Sequence, residues 1–298
     1  MSSWAALPEA VRAHYPWSGS DLTLKSGHRL HYLDEGTGDP VLMVHGNPTW
    51  SFYWRNLVTA LSPTQRCVVP DHIGSGLSDK PQDWTYRLQD HIDNLVALID
   101  HLDLQKITLV VHDWGGAIGF GAALARPDRI ARIVVFNTSV FLDHVPLSIR
   151  MARWPGVGEA LVRGMNGFLR IGLLRAIGDR KRLANGVAAG YLAPYGSYES
   201  RIAHLQFIRD IPLESGHPTR ATIAGLTEGV PRAFANTPTM FIWGDQDFVF
   251  TPRFLEKWQL LLPGAEVHRF ADAAHWVVED AHERIVPLMH DFLGRHPI

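Results

Sequence analysis

The chain has 298 residues, 46% of them hydrophobic and 19% charged, with a formal net charge of −2. That balance predicts a soluble globular chain, long enough for one α/β core with an inserted subdomain, and excludes a basic field over the whole surface for nucleic acid or anionic lipid. One cysteine, Cys67, excludes an internal disulfide and fits a reducing compartment.

The opening stretch, Met1 to Ser20, has neither a basic n-region nor a long apolar segment. No apolar run approaches the roughly 20 residues of a membrane helix. A cytoplasmic protein without a membrane span is expected. Leu22–Leu24 and Leu30–Leu33 flank Ser26-Gly27 and predict a β-hairpin. Short apolar runs at Val41–Val44, Cys67–Pro70, Ile107–Val111, Ile133–Phe136, Thr239–Trp243 and Glu266–Phe270 predict strands. Helical patterns lie between most of them. The clearest is Leu88–Leu102, with Ile92, Leu95, Val96 and Ile99 on one face. Strands apolar on both sides that alternate with helices predict an α/β fold, its mostly parallel sheet flanked by helices. The alternation stops between about Ser139 and Pro212, which reads as several short helices. Residues 139–212 are taken as an inserted helical cap, and residues 1–138 and 213–298 as the core. Such a cap can enclose an apolar cavity above the strand ends, where open α/β sheets bind ligands.

The run Ile107-Thr-Leu-Val-Val-His-Asp-Trp-Gly-Gly116 carries the most chemistry. A buried strand enters Asp113 and leaves through Trp114, Gly115 and Gly116 into a helix of small residues. This is the form of a nucleophile elbow, in which Gly115 lets the helix approach the strand. Val111, two before the nucleophile, departs from the small residue usual there. An aspartate in the nucleophile's place changes the chemistry. A carboxylate is anionic at neutral pH, needs no base for its first attack, and suits an sp³ carbon bearing a leaving group. The bland alternative is an aspartate that only caps the next helix.

Triads on such a scaffold run nucleophile, acid, histidine along the chain. Phe241-Ile-Trp-Gly-Asp-Gln-Asp-Phe248 supplies two acids past a strand, Asp245 one residue and Asp247 three residues beyond Gly244, with Asp247 the expected triad member. Phe270-Ala-Asp-Ala-Ala-His-Trp276 supplies His275. The histidine would activate water, and the acid would fix its tautomer. His45-Gly46-Asn47-Pro48 follows an early strand, and its expected role is an oxyanion site in which the backbone N–H of Asn47 joins that of Trp114. Pro48 fixes a tight turn, through a cis bond in one version of it, and His45 buttresses the loop. A metal site using His45, His72, His112 and Asp71 is the competing reading, and no ligand spacing supports it. Neither a metal nor a cofactor is expected.

Taken together, His45-Gly-Asn-Pro-Thr-Trp-Ser-Phe-Tyr-Trp-Arg55, Pro70-Asp-His-Ile-Gly-Ser-Gly-Leu-Ser-Asp79 and His112-Asp-Trp-Gly-Gly116 resemble the haloalkane dehalogenases of the α/β-hydrolase superfamily. The likeness covers nearly the whole chain and is weakest in the cap. It implies displacement of halide by Asp113, side-chain N–H bonds from Asn47 and Trp114 to the departing halide, and hydrolysis of the resulting ester by water that His275 activates. One branch carries its acid as a Glu just after the sixth strand, where this chain has Asn137. Asn47, Trp114 and Asp247 together look like the third branch. That branch is similar to the β-lactone decarboxylases of bacterial long-chain olefin synthesis, also around Tyr191-Leu-Ala-Pro-Tyr195 and Ile208-Arg-Asp-Ile-Pro-Leu213.

Dehalogenase, acting on a small apolar haloalkane with water and releasing halide, and β-lactone decarboxylase are the leading readings. An epoxide hydrolase would need cap tyrosines, with Tyr191, Tyr195 and Tyr198 as candidates. A binding protein without catalysis is the other class, and an intact triad argues against it. The Arg-rich cap (Arg163, Arg170, Arg175, Arg180, Arg182) is by default a solvated helical face, with a surface for another copy or a pathway enzyme as the alternative.

Overall fold

The computed structural model describes residues 3–298; Met1 and Ser2, which begin the stretch read for a signal peptide, lie outside the described residues. Eight strands form one sheet: β1 (Ser20–Thr23), β2 (Arg29–Glu35), β3 (Pro40–Val44), β4 (Arg66–Pro70), β5 (Ile107–Asp113), β6 (Ile130–Thr138), β7 (Thr239–Gly244) and β8 (Glu266–Phe270). Their spatial order is β1-β2-β4-β3-β5-β6-β7-β8. β1 and β2 form the predicted hairpin, β2 pairs antiparallel with β4, and every pair from β4 to β8 is parallel. Each predicted apolar run lies in a strand.

Adjacent residues of a strand point to opposite faces, and here both faces are covered. Val41 and Met43 of β3 join one apolar cluster, while Leu42 and Val44 join the other. The helix Leu88–His101 buries Leu88, Ile92, Leu95, Leu98 and Ile99; Val96, placed on that face by its spacing, is only partly buried.

Between β6 and β7 the chain makes no strand. It forms the helices Leu147–Ala152, Gly167–Arg175, Val187–Leu192, Ile202–Arg209 and Thr219–Phe234, with shorter helical stretches and turns between them. Ile149, Ala152, Val162, Leu205 and Ile208 give this segment a small apolar cluster of its own. Buried polar bonds tie it to the helices Val277–Arg295 and Arg55–Leu61, which flank the sheet. Tyr191 donates to Glu279 at 2.7 Å, and the same carboxylate receives Arg55 through both guanidinium nitrogens at 2.8 and 2.7 Å. No helix among the described residues is long and apolar enough to cross a membrane.

Candidate active site

Asp113, the expected nucleophile, stands at the end of β5. Asp113 has φ 51° and ψ −128°, a backbone conformation that L-residues adopt at a cost of about 1–3 kcal/mol. The helix Trp114–Ala125 starts immediately after it. Gly115 and Gly116 make the close approach feasible, since a Cβ on Gly115 would meet the Val44 carbonyl and one on Gly116 would meet Thr138. The bulk of Val111 is absorbed by Gly119, where a Cβ would lie only 2.6 Å from the Val111 side chain.

Asp113 does not cap its helix; its side chain makes no capping hydrogen bond there. Oδ1 instead accepts the backbone N–H of Asn47 at 2.6 Å. Oδ2 faces Nε2 of His275 at 3.6 Å, an ion-pair distance rather than a hydrogen bond. Burial disfavours the charged carboxyl, but His275 and the Trp114 backbone N–H hold it below the ordinary carboxylate range.

His275 stands between two acids. Its Nδ1 is 2.7 Å from Oδ2 of Asp247, while Oδ1 of Asp247 accepts the backbone N–H groups of Val249 and Phe250 at 2.7 and 3.0 Å. Burial works against an imidazolium here. The charges and hydrogen bonds of Asp247 and Asp113 outweigh it and push His275 up to about 10. Asp245, the other candidate acid, turns to the surface and pairs with Arg269 at 3.0 Å.

Three residues that support this arrangement were not singled out for it from sequence. His112 meets the backbone carbonyl of His275 at 2.8 Å, and burial, then the nearby His275, push it down to about 3, so it stays neutral. Its place beside Asp113 is the available sequence signal, whereas its residue type suggests only a metal ligand. Asp280 accepts the N–H of Ala274 at 2.8 Å and that of Gly178 at 2.8 Å, which joins the His275 loop to the inserted segment. Nothing in the local sequence marks it. Asn137 lies inside β6 rather than after it. It exchanges hydrogen bonds with Gly244 at 3.0 and 2.8 Å and so fixes the strand end from which Asp247 departs.

The loop after β3 holds the expected turn, with a cis bond between Asn47 and Pro48. Nε2 of His45 accepts the N–H of His72, and Nε2 of His72 reaches the His45 carbonyl at 2.9 Å. Asp71 accepts the N–H groups of Ser51 and Leu77. These side chains are thus occupied in bracing two loops, and among the described residues none gather as a metal site.

Asn47 departs from expectation in one respect. Its side-chain Nδ2 donates to the backbone carbonyl of His204 at 3.1 Å, and its Oδ1 is buried without a partner among the described residues. The amide therefore links the loop to the helix Ile202–Arg209, with one N–H hydrogen left over. Trp114 is half-buried, and its indole N–H has no hydrogen-bond partner among the described residues.

Asn47, Asp113, Trp114 and His275 form part of the wall of a cavity of about 610 Å³. Most of the remaining wall is apolar and comes from the segment between β6 and β7, including Val145, Ile149, Val162 and Phe168. No tyrosine among the described residues lines it. Tyr191 is bonded to Glu279, Tyr195 accepts the N–H of Gly76 at 2.9 Å, and the Tyr198 ring lies under the guanidinium of Arg163.

The alpha/beta hydrolase fold family matches residues 39–171 and 176–281. A cis-3-alkyl-4-alkyloxetan-2-one decarboxylase of Shewanella oneidensis is 45% identical, over 90% of this chain and 86% of its own. Haloalkane dehalogenase 2 of Mycobacterium tuberculosis is 33% identical, over 89% of this chain and 92% of its own. Among solved structures, a haloalkane dehalogenase of Agrobacterium tumefaciens C58 superposes with a TM-score of 0.84 at 28% identity, covering 94% of this chain and 97% of that one.

Proposed function

We propose, from the premise that this chain belongs to the α/β-hydrolase family, that it is an enzyme that decarboxylates a β-lactone bearing two alkyl chains, with Asp113 as nucleophile. The observation that carries this reading is Asp113 itself: a buried carboxylate in an elbow conformation, one oxygen on a backbone N–H, on the wall of a large apolar cavity. That the relative at 45% identity is a decarboxylase of such oxetanones favours a lactone over a haloalkane.

The steps balance without water or a cofactor. Oδ2 of Asp113 attacks ring carbon C4 and breaks its bond to the ring oxygen. This forms an alkyl ester of Asp113 and frees the lactone carboxyl as a carboxylate on C3. The electrons of the bond between C3 and that carboxylate then form the alkene, carbon dioxide leaves, and the ester C–O electrons return to Asp113. Inversion at C4 followed by anti elimination turns a cis lactone into a cis alkene. Oδ1, already on the Asn47 N–H, becomes the ester carbonyl oxygen in between. His275, charged and held by Asp247, stabilises the freed carboxylate.

Hydrolytic dehalogenation is the second reading. The unpartnered indole N–H of Trp114 favours it, because that donor is available to a small anion in the cavity. In that reaction esterification removes the Asp113 charge, lowers the proton affinity of His275, and frees it to act as base. Product analysis separates the two. Incubation with a cis-dialkyl β-lactone should yield cis alkene and carbon dioxide without hydroxy acid. Bromide release from 1,2-dibromoethane at comparable efficiency, with the lactone untouched, would put dehalogenation first.

A further inference from the structure

Among the described residues, the exposed large apolar side chains are gathered almost entirely in one segment. Met151, Leu161, Met165, Ile171 and Leu174 are between 41% and 66% exposed, and all five also line the active-site cavity. The cavity wall therefore continues onto the outer surface. Leu147, 67% exposed, precedes Met151 by one turn of the same helix, and Trp154, 58% exposed, follows it. Clustered exposure of this kind marks an interaction site rather than an average surface.

The same segment reverses the charge of the chain. Residues 147–182 hold eight basic and two acidic side chains, a net charge of +6 in a chain whose total is −2. Across its border Glu159 pairs with Arg209, while Arg153 and Arg182 pair with Glu214 and Glu283. Arg150, Arg170, Arg175 and Arg180 are exposed and form no ion pair with the described residues. The whole-chain charge conceals this asymmetry by averaging it with a net −8 elsewhere.

We propose that this face is a docking surface for an anionic lipid bilayer, seated with the cavity mouth against the membrane. The charge complementarity selects the occupant: apolar side chains entering the headgroup boundary, interspersed along the segment with arginines, match an anionic leaflet. An apolar substrate that partitions into lipid then reaches the site without crossing water. The surface is independent of which apolar substrate the cavity takes.

Cosedimentation with vesicles tests this, using phosphatidylcholine alone and phosphatidylcholine mixed with phosphatidylglycerol. The protein should sediment with the mixed vesicles and be released by salt. Arg150→Glu with Arg180→Glu should weaken partitioning by roughly tenfold or more. Leu147→Ser with Trp154→Ser should weaken it on the same vesicles. None of these four residues lines the cavity, so turnover of a short, water-soluble substrate serves as the folding control. Equal sedimentation with both vesicle types, or none with either, overturns the proposal. So does a wild-type dimer that Trp154→Ser converts to monomer while neither form binds vesicles, because the patch then serves a second copy of the chain.

Discussion

Nδ1 of His275 lies 2.7 Å from Asp247 and its Nε2 lies 3.6 Å from Asp113, so one imidazole bridges the two carboxylates. Asp245 instead pairs with Arg269 at the surface, so the two carboxylates past β7 have different partners. Asp247→Asn should lower turnover by about 10²-fold or more, approaching the roughly 10⁴-fold seen for the orienting acid of a serine triad if water must be activated. Asp245→Asn should change it little. Steady-state rates of the two variants check this, and the reverse ranking would assign the acid to Asp245.

Trp114→Phe keeps the ring and removes the unpartnered donor. A lost donor at a preorganised anion site lowers the rate by about 10²–10³-fold. Halide leaves as a compact anion and depends on that single point. A carboxylate leaving from a ring stays tethered and has His275 beside it. Single-turnover rates should therefore fall by that order on a bromoalkane and by clearly less on a β-lactone. Equal losses on both would remove the argument for a halide-specific donor.

The raised proton affinity of His275 also bears on stability. Its folded value of about 10 lies above the ordinary 6.5, so in that window the folded protein keeps a proton that the unfolded chain has released. Its contribution is complete below about 6.5 and lost as pH rises through about 10. Asp113, shifted the other way, contributes above the ordinary carboxyl range and loses that contribution in acid. The urea midpoint of wild type should thus fall from neutral to alkaline pH relative to His275→Gln. Parallel curves for the two proteins would show that the ion pair is absent in solution.

The contact between Val111 and Gly119 predicts a coupled pair. Gly119→Ala places a methyl group where only 2.6 Å is free, and overpacking of this kind destabilises by about 1–3 kcal/mol. Val111→Ala in the same chain should recover part of the loss. A denaturant double-mutant cycle reads the coupling, and additive effects would mean that the helix shifts away from β5 instead.

Much of this was legible in the sequence, for physical reasons. The strands announce themselves because a sheet covered on both faces needs continuous apolar runs, as Val41–Val44 and Ile107–Val111 show. Asp113 and His275 are legible because they follow strand ends in a fixed chain order. The choice between Asp245 and Asp247 was not a matter of periodicity, since both lie beyond Gly244 and only the loop geometry separates them. The Asn47 amide illustrates a deeper limit. Its partner is the His204 carbonyl, 157 residues away in a short helix, and a backbone acceptor leaves no trace in residue type. The same holds for Asp280, whose partners are the N–H groups of Ala274 and Gly178.

The covalent role of Asp113 is the centre of the account, and rapid-quench mass spectrometry of the Asp113 peptide during a single turnover of a cis-dialkyl β-lactone tests it most directly. The account predicts a transient adduct on Asp113 with the full mass of the lactone, formed before the alkene and decaying as the alkene appears. An unmodified peptide throughout, with alkene released at the wild-type rate, would contradict it.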